Sequence, residues 1–191
     1  MQVTLLDHTS DPVARIGQMA GICYDSKTDR DSNIRRAAQC KDRGHLATLR
    51  FAYASFNISG ISRVCSHQLV RMAHAGILQR SQRYVKESHV RYVNPPALND
   101  MPADLILHWH DIQRKAAAVY QLAIKHKMKK EDARYILPQS CETELNLCLN
   151  FQGWRDMLRN RTDKAAQWEV RVAAVAIQQQ LHEIAPELFL M

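Results

Sequence analysis

The sequence lacks the short motifs that most often define a phosphate-binding or metal-dependent enzyme. It contains no GxGxxG and no GxxxxGK[ST] loop, so neither a dinucleotide-binding fold nor a P-loop is indicated. It contains no HExxH, and its nine histidines show no ligand spacing backed by carboxylates, so no metal site is predicted. Its five cysteines form no CxxC pair, which indicates reduced thiols rather than a disulfide framework or a zinc ribbon.

Long apolar runs are also absent. No stretch of about 18 apolar residues occurs, and the first residues, MQVTLLDHTSDPVARIG, have neither the basic start nor the apolar centre of a secretory signal. We therefore expect a cytoplasmic protein that does not associate with membranes. With 46% hydrophobic and 24% charged residues, the 191 residues are typical of one globular domain over residues 1–191.

The basic balance of the chain favours anionic partners. The formal net charge is +7 at pH 7, which suits nucleotides, phosphorylated metabolites, polyglutamylated cofactors or nucleic acid. The densest basic run, KHKMKK at 125–130, is typical of a solvated helix end that would act through long-range steering. Charge alone does not choose among these partners.

Hydrophobic periodicity predicts a mixed fold. A strand is predicted at 3–9, and a central strand at 46–59, where Leu49, Phe51 and Tyr53 alternate with smaller or polar residues. Ser59-Gly60 is expected to end that strand. Helices are predicted from Pro12, at about 31–42, from Ile61 to near Gly76, and at about 102–127, 140–159 and 163–185. We expect an α/β (α+β) fold with one sheet covered by several helices.

Apolar stripes on the two longest predicted helices are expected to face the core. On the helix at 102–127 the stripe consists of Leu105, Trp109, Ile112, Ala116, Val119, Tyr120 and Ala123; on the helix at 163–185 it consists of Ala165, Trp168, Val172, Val175 and Leu181. Gln68 and Arg71 are three residues apart, so they share a face of the helix predicted after Ile61.

Arginines are the residues with the clearest chemical potential. Arg71, Arg83, Arg134 and Arg161 each lie beside small, polar or turn-forming residues. A guanidinium offers a planar fork of donors that suits a phosphate or the edge of a pyrimidine. If the backbone is extended, Ser81 and Arg83 place a hydroxyl and a guanidinium on the same side, as a phosphate-gripping pair. Each arginine taken alone is typical of a surface residue or an ion-pair partner.

Four sequence segments, which follow one another in the same order as in a known family, extend this interpretation of the arginines. The segments ISRVCSHQLVR, SQRYV, ARYILPQS and RTDKAAQWEVR closely resemble the flavin-dependent thymidylate synthases, the ThyX family, and the likeness covers about residues 44–180. The family signature is Arg-His-Arg, seven residues, then Ser-x-Arg. Here Arg71-Met72-Ala73 is followed by HAGILQR and then by Ser81-Gln82-Arg83. The spacing and the distal half match, whereas Met72 and Ala73 replace the histidine and the second arginine.

The resemblance implies a site for deoxyuridylate and a mostly antiparallel central sheet. By the family pattern, Arg134 comes from a neighbouring subunit, Arg161 points toward the pyrimidine, and Arg161 and Ser81 are the catalytic residues. The position of Gln79 is Glu or Gln in such enzymes. The full set implied for the nucleotide is Gln68, Arg71, Gln79, Ser81, Arg83, Arg134 and Arg161.

The resemblance also implies a flavin site, with several departures from the family. The residues that match flavin contacts are His45, Asn150, Asp156 and Asn160. Gln152 stands where Arg is common, Asp156 where Asn is common, and Ala165 where His is common. With Met72 and Ala73, these changes alter or remove several of the expected flavin contacts.

The implied reaction converts dUMP to dTMP without an enzyme nucleophile. Methylenetetrahydrofolate supplies the carbon, FAD supplies hydride after reduction by NADPH, and arginine polarises the uracil ring as charge develops on it. Cys65 lies near the site in sequence, but its place in an apolar stripe predicts a core residue. The family resemblance further implies a homotetramer whose active sites are shared between subunits.

Three alternatives remain open at this point. The altered flavin contacts also fit a flavin-altered or flavin-free enzyme that transfers a hydroxymethyl group to dUMP or dCMP. A basic nucleic-acid-binding module would interleave aromatic residues with the arginines, and only Tyr84 and Tyr92 come close to that pattern. The third alternative is a degenerate enzyme that serves as a structural subunit.

Overall fold

The computed structural model describes residues 1–26 and 29–189, which form an α+β fold. Four strands are present: β1 Gln2–His8, β2 Tyr53–Ser62, β3 Gly76–Gln79 and β4 Glu142–Asn150. The α-helices are α1 Pro12–Gly21, α2 Arg30–Asp42, α3 Arg63–Leu69, α4 Ala103–Lys125, α5 Lys130–Ala133, α6 Phe151–Arg161 and α7 Trp168–Ile184. Short 3₁₀ helices cover Ile22–Tyr24, Leu46–Phe51, Pro96–Asp100 and Arg134–Ile136.

The strands form one antiparallel sheet in the order β1-β2-β4-β3. Strands β1 and β2 pair from Gln2 opposite Ser59 to His8 opposite Ala54, with an irregularity between Leu5 and Asp7. The prediction of an α+β fold with one mostly antiparallel sheet and several helices is therefore confirmed.

The chain divides into two compact units. Unit 1 comprises Met1–Ser59, Gln68–Leu78 and Leu145–Met191, and unit 2 comprises Gly60–His67 and Gln79–Glu144. The single domain expected over residues 1–191 stays a prediction. No helix within residues 1–26 and 29–189 has both the length and the sustained apolar character of a membrane span.

The core of unit 1 lies between the sheet and helices α6 and α7. Phe56 of β2 and Trp154 of α6 are fully buried and meet edge to face, with ring centroids 5.1 Å apart. The indole N–H of Trp154 donates to the backbone carbonyl of Ala54 at 3.0 Å, so the buried ring is also satisfied as a donor. Residues from β4 and α7 complete this core, including Leu145, Leu147, Leu149, Val170, Ala173, Ile177 and Leu181.

Unit 2 is built around helix α4. Tyr120 is fully buried there, and its hydroxyl accepts a hydrogen bond from the backbone N–H of Glu87 at 3.1 Å. The hydroxyl of Tyr92 donates to the carbonyl of Gln113 at 2.9 Å. These contacts fix the loop after Arg83 against the inner face of α4.

Several predicted elements agree with the structure. Strand β1 and helices α1, α2 and α4 cover the predicted ranges within a few residues. Helix α1 begins at Pro12, whose fixed backbone angle suits the first helical position. The burial of Cys65 is also confirmed.

The predicted helix at 140–159 is wrong over its first half, where the chain forms strand β4. Burial alternates strictly at Thr143, Leu145, Leu147 and Leu149, which is the period of a strand with one buried face. Helix α6 begins only at Phe151, where the side chain of Asn150 caps it by accepting from the N–H of Gly153 at 2.8 Å.

The predicted strand at 46–59 is partly wrong. Leu46–Phe51 form a 3₁₀ helix, and β2 starts at Tyr53 and continues past Ser59-Gly60 to Ser62. Gly60 has a φ of 66°, a conformation that glycine adopts without a side-chain clash. The strand can therefore pass through this position instead of ending there.

The helices after Ile61 and after residue 163 are shorter than predicted. Helix α3 ends at Leu69, well before Gly76, so Arg71 lies beyond it and does not share a helical face with Gln68. Helix α7 begins at Trp168 rather than at 163. The side chain of Gln167 caps it by accepting from the N–H groups of Glu169 and Val170, each at 3.0 Å.

The apolar stripe of α4 is not core throughout, contrary to expectation. Ala116 and Tyr120 are buried, but Ile112 is 64% exposed and Val119 is 48% exposed. On α7 the same correction applies to Val172 and Val175, which are exposed while Leu181 is buried. A helical period identifies an apolar face, but it does not say whether the chain itself covers that face.

Gly17 provides a test of helix packing in unit 1. A Cβ at this position would overlap the backbone carbonyl of Asn33 on α2. Gly17→Ala should lower the free energy of unfolding by about 1–3 kcal/mol despite the better helix propensity of alanine. Urea denaturation measures this, with Gln18→Ala on the exposed side of α1 as the control. Equal stabilities of the two variants would contradict the close packing of α1 and α2.

Candidate active site

Gln79, at the end of β3, is held by two hydroxyl groups in unit 2. Its amide nitrogen donates to Ser66 Oγ at 3.0 Å and to Thr143 Oγ1 at 3.2 Å. Ser66 is fully buried, and its hydroxyl proton goes to the carbonyl of Arg63 at 3.1 Å. Ser66 Oγ must therefore accept from Gln79, which fixes the orientation of the amide. Gln79 Oε1 is left as an acceptor for a donor group on a ligand.

Ser81 and Arg83 lie in a turn, so the extended backbone considered for this pair is wrong. Ser81 Oγ accepts from the backbone N–H of Arg83 at 3.2 Å, and the Ser81 carbonyl accepts from the N–H of Val85 at 2.9 Å. A serine hydroxyl commonly bonds the backbone two residues on and so stabilises a turn. The Ser81 proton is still free to be donated to an anion.

Glu131 connects two of the predicted nucleotide residues within one chain. Arg83 Nε donates to Glu131 Oε2 at 2.6 Å, and the guanidinium of Arg83 lies 5.4 Å from the centre of the Tyr84 ring. Arg134 Nε donates to the backbone carbonyl of Glu131 at 3.2 Å. The structure thus brings Arg83 and Arg134 to the same short segment of unit 2.

Arg63 belongs to the same region and was not among the predicted site residues. Its Nη2 donates to the carbonyl of Arg80 at 3.2 Å, while its Nε is buried without a partner among the described residues. Burial lowers the pKa of this guanidinium. The residues predicted for the site also did not include Ser66, Thr143 or Glu131. Their roles depend on contacts between distant positions, which no local pattern reveals.

Arg161 and Gln68 form the second polar pair, in unit 1. Arg161, the last residue of α6, donates from Nη1 to Gln68 Oε1 and from Nη2 to the Gln68 carbonyl, both at 3.2 Å. The two residues are 93 positions apart in sequence. Arg71 is exposed after the end of α3 and has no hydrogen bond or ion pair with either of them within the described chain. The structure therefore brings together Gln68 and Arg161 but not Arg71.

The residues predicted for flavin lie in unit 1 around α6 and the 3₁₀ helix at Leu46–Phe51, which pack together. Asn150 uses Oδ1 to cap α6, so its amide nitrogen remains available as a donor. Asp156 accepts from Gln152 Nε2 at 3.0 Å and lies 3.6 Å from Arg159 Nη2. Asn160 is exposed and makes no hydrogen bond among the described residues.

His45 lines a largely apolar cavity of about 400 Å³ in unit 1. The other lining residues are Ala20, Cys23, Tyr24, Arg36, Cys40, Gly44, Leu46, Ala47 and Thr48. Its volume falls in the range of small-molecule pockets, and an imidazole and a phenol are suitable partners for an aromatic ring system. The residues present therefore fit the ring portion of a flavin, whereas the carboxylate of Asp156 is poorly suited to its phosphates.

The arrangement as a whole indicates the class of protein. The antiparallel sheet, its covering helices and a set of arginines held by amide and carboxylate partners define an α+β protein suited to a phosphate-bearing ligand. Residues 4–187 match the family model described as thymidylate synthase complementing protein. The chain belongs to this family, that of the flavin-dependent thymidylate synthases.

Individual relatives agree with this assignment. The chain is 35% identical over 160 residues to a flavin-dependent thymidylate synthase of Mycobacteroides abscessus, with 76% of this chain and 64% of the relative covered. A relative with the same description from Mycobacterium marinum is 35% identical over 162 residues, with 78% and 65% covered. One from Mycolicibacterium gilvum is 30% identical over 199 residues, with 94% and 80% covered. The chain thus spans somewhat less than two thirds of the first two relatives.

The cysteines of unit 2 are poorly suited to nucleophilic catalysis, and alkylation tests this. Cys65 and Cys141 are buried, and burial raises the pKa of the Cys141 thiol to about 11. At pH of about 8, roughly one Cys141 in a thousand is a thiolate. Iodoacetamide should modify exposed Cys23 in the native protein and leave Cys65 and Cys141 intact, as peptide mass spectrometry would show.

Two controls complete the alkylation test. Cys23→Ser should remove the modification expected at the exposed position 23, and unfolding in urea should make all the thiols reactive. Rapid modification of Cys65 or Cys141 in the native protein would instead reveal an accessible, activated thiolate and would contradict this description.

Proposed function

We propose that this protein is a thymidylate synthase that methylates dUMP to dTMP with methylenetetrahydrofolate as carbon donor and flavin as cofactor. The pairing of Arg161 with Gln68 carries the proposal. Family resemblance assigns both residues to the nucleotide, and the fold joins them across 93 positions of sequence. Membership of the family over residues 4–187 supports the same activity.

The polar side chains of unit 2 are proposed to bind the phosphate and a donor group of the nucleotide. Ser81 and Arg83 hold the phosphate through a hydroxyl and a guanidinium fork, with Arg134 adding positive charge. Gln79 accepts from a donor group of the nucleotide through Oε1, because its amide nitrogen is already bound to Ser66 and Thr143.

Arg161 serves the reacting ring. Its guanidinium, oriented by Gln68, donates to a carbonyl of the uracil and stabilises negative charge as it develops there. No protein nucleophile is required, in agreement with the buried thiols of unit 2.

His45 and Asn150 would hold the flavin, and Asn160, near the other end of α6, is a further residue that the resemblance assigns to it. When bound and reduced by NADPH, the flavin supplies hydride. The protein contributes the largely apolar cavity beside His45, which would take an aromatic ring. The amide nitrogen of Asn150, which does not line this cavity, remains a donor for another part of the flavin. Met72 and Ala73 offer no charge to an anionic cofactor.

We further propose that the protein self-associates and that it is located in the cytoplasm. Ile112 and Val119 of α4, together with Ile136 and Pro138, line an apolar groove of about 330 Å³ in unit 2. Exposed apolar residues of this kind are typical of surfaces that subunits bury against each other. They support self-association, while the homotetramer with shared active sites is what the resemblance implies.

Nucleotide binding tests the proposed function. Arg83→Ala and Arg161→Ala should each weaken dUMP binding by about 10- to 150-fold, since each removes charged hydrogen bonds to the ligand. Isothermal titration calorimetry measures the affinity, and circular dichroism checks that the variants remain folded. Arg114→Ala, on the exposed surface of α4, is the matched control. Unchanged dUMP affinity in either site variant would contradict the assignment.

Asp156 is predicted to weaken flavin binding. The resemblance assigns its position to the flavin, and like charges a few ångströms apart repel by about 1 kcal/mol in water. Asp156→Asn should therefore tighten FAD binding by about fivefold, as measured by the change in flavin fluorescence on titration with protein. Glu183→Gln makes the same change of charge on the exposed surface of α7. Equal gains in both variants, or no gain in Asp156→Asn, would show that Asp156 does not face the cofactor.

A further inference from the structure

The contact between Glu131 and Arg83 uses one particular edge of the guanidinium. Glu131 Oε2 binds Nε of Arg83 at 2.6 Å. The two terminal nitrogens of Arg83 make no hydrogen bond within residues 1–26 and 29–189. A carboxylate that bound these terminal nitrogens would occupy the fork that recognises phosphate. Glu131 leaves this fork free.

Glu131 is itself held on both sides. Lys130 Nζ donates to the carbonyl of Tyr84 at 2.7 Å, which ties the start of α5 to the turn that carries Arg83. Arg134 Nε donates to the Glu131 carbonyl at 3.2 Å. The carboxylate therefore sits on a short segment that is fixed relative to Arg83, and the Tyr84 ring restricts the guanidinium from a second direction.

The exposure of the pair indicates what the contact does. The Arg83 side chain is 58% exposed and that of Glu131 is 35% exposed, so solvent screens their attraction and the pair adds little to stability. Fixing a long side chain in one rotamer has a larger effect on binding, because the ligand then loses less free energy in ordering it. An arginine fixed through Nε presents its terminal nitrogens to a phosphate in advance.

We propose that Glu131 is a positioning residue that orients the Arg83 fork toward the phosphate of the bound nucleotide. This inference rests on the proposed function, because it takes the ligand of Arg83 to be a nucleoside monophosphate. Glu131 acts on the phosphate through Arg83 and contributes nothing to recognition of the pyrimidine or the sugar.

The proposal is tested by comparing dUMP with deoxyuridine, which lacks the phosphate. Glu131→Ala removes the acceptor for Arg83 Nε and should weaken dUMP binding by about tenfold. Binding of deoxyuridine, followed by ligand-observed NMR, should change by less than about twofold. Glu131→Gln retains an oxygen acceptor for Nε and should keep most of the dUMP affinity. If Glu131 acted only through its charge, Glu131→Gln would lose as much dUMP affinity as Glu131→Ala.

A double-mutant cycle with Arg83 separates positioning from a general structural effect. In the Arg83→Ala background, Glu131→Ala should have almost no further effect on dUMP binding, since its influence acts through the missing guanidinium. Thermal unfolding of each variant, without ligand, checks that the loss of affinity is not a loss of fold. Asp132→Ala, next in sequence on α5, is the control for a change of charge near the site.

Several results would overturn the inference. Tighter dUMP binding in Glu131→Ala would show that Glu131 blocks the fork instead of orienting it. An equal loss for deoxyuridine, or an equal loss in the Arg83→Ala background, would show a structural role. If the unaltered protein bound no dUMP, the proposed function would fail. The same variants would then be titrated with inorganic phosphate, and equal affinities, or no binding, would overturn the inference.

Discussion

The attachment of α6 to the sheet is the constraint on which the candidate site of unit 1 depends. Trp154 packs its buried ring against Phe56 and donates its indole N–H to the carbonyl of Ala54, so apolar burial and a satisfied hydrogen bond act at the same point. Because this contact fixes the helix, both of its ends are fixed as well. Asn150 caps the start, and Arg161 lies at the end, where it reaches Gln68.

Unit 2 differs in that it holds several arginines in defined positions before an anionic ligand binds. Three of its arginines have a defined acceptor: Arg63 bonds the Arg80 carbonyl, Arg83 bonds the Glu131 carboxylate, and Arg134 bonds the Glu131 carbonyl. These partners orient the guanidinium groups while leaving donors unused. A site prepared in this way loses little conformational freedom when a phosphate binds.

The sequence predicted the fold class better than it predicted the contacts among the candidate site residues. The fold class, the burial of Cys65 and most helices followed from periodicity, because the apolar positions repeat clearly. The strand at 142–150 was missed because a short alternating run was joined to the helix after it. The Glu131–Arg83 contact was missed because it joins positions 48 apart, and only the folded chain brings them together. Whether the apolar side chains of α4 are exposed depends on which surface packs against the helix. The helical period of the sequence does not show this.

The identity of the product formed from dUMP tests the central claim most directly. The protein would be incubated with dUMP, methylenetetrahydrofolate, FAD and NADPH, and the nucleotide analysed by mass spectrometry. We expect dTMP, formed only when FAD and NADPH are both present, because the transferred carbon must be reduced to a methyl group. A hydroxymethylated nucleotide formed without FAD, or a dUMP pool that remains unchanged with every component present, would contradict it.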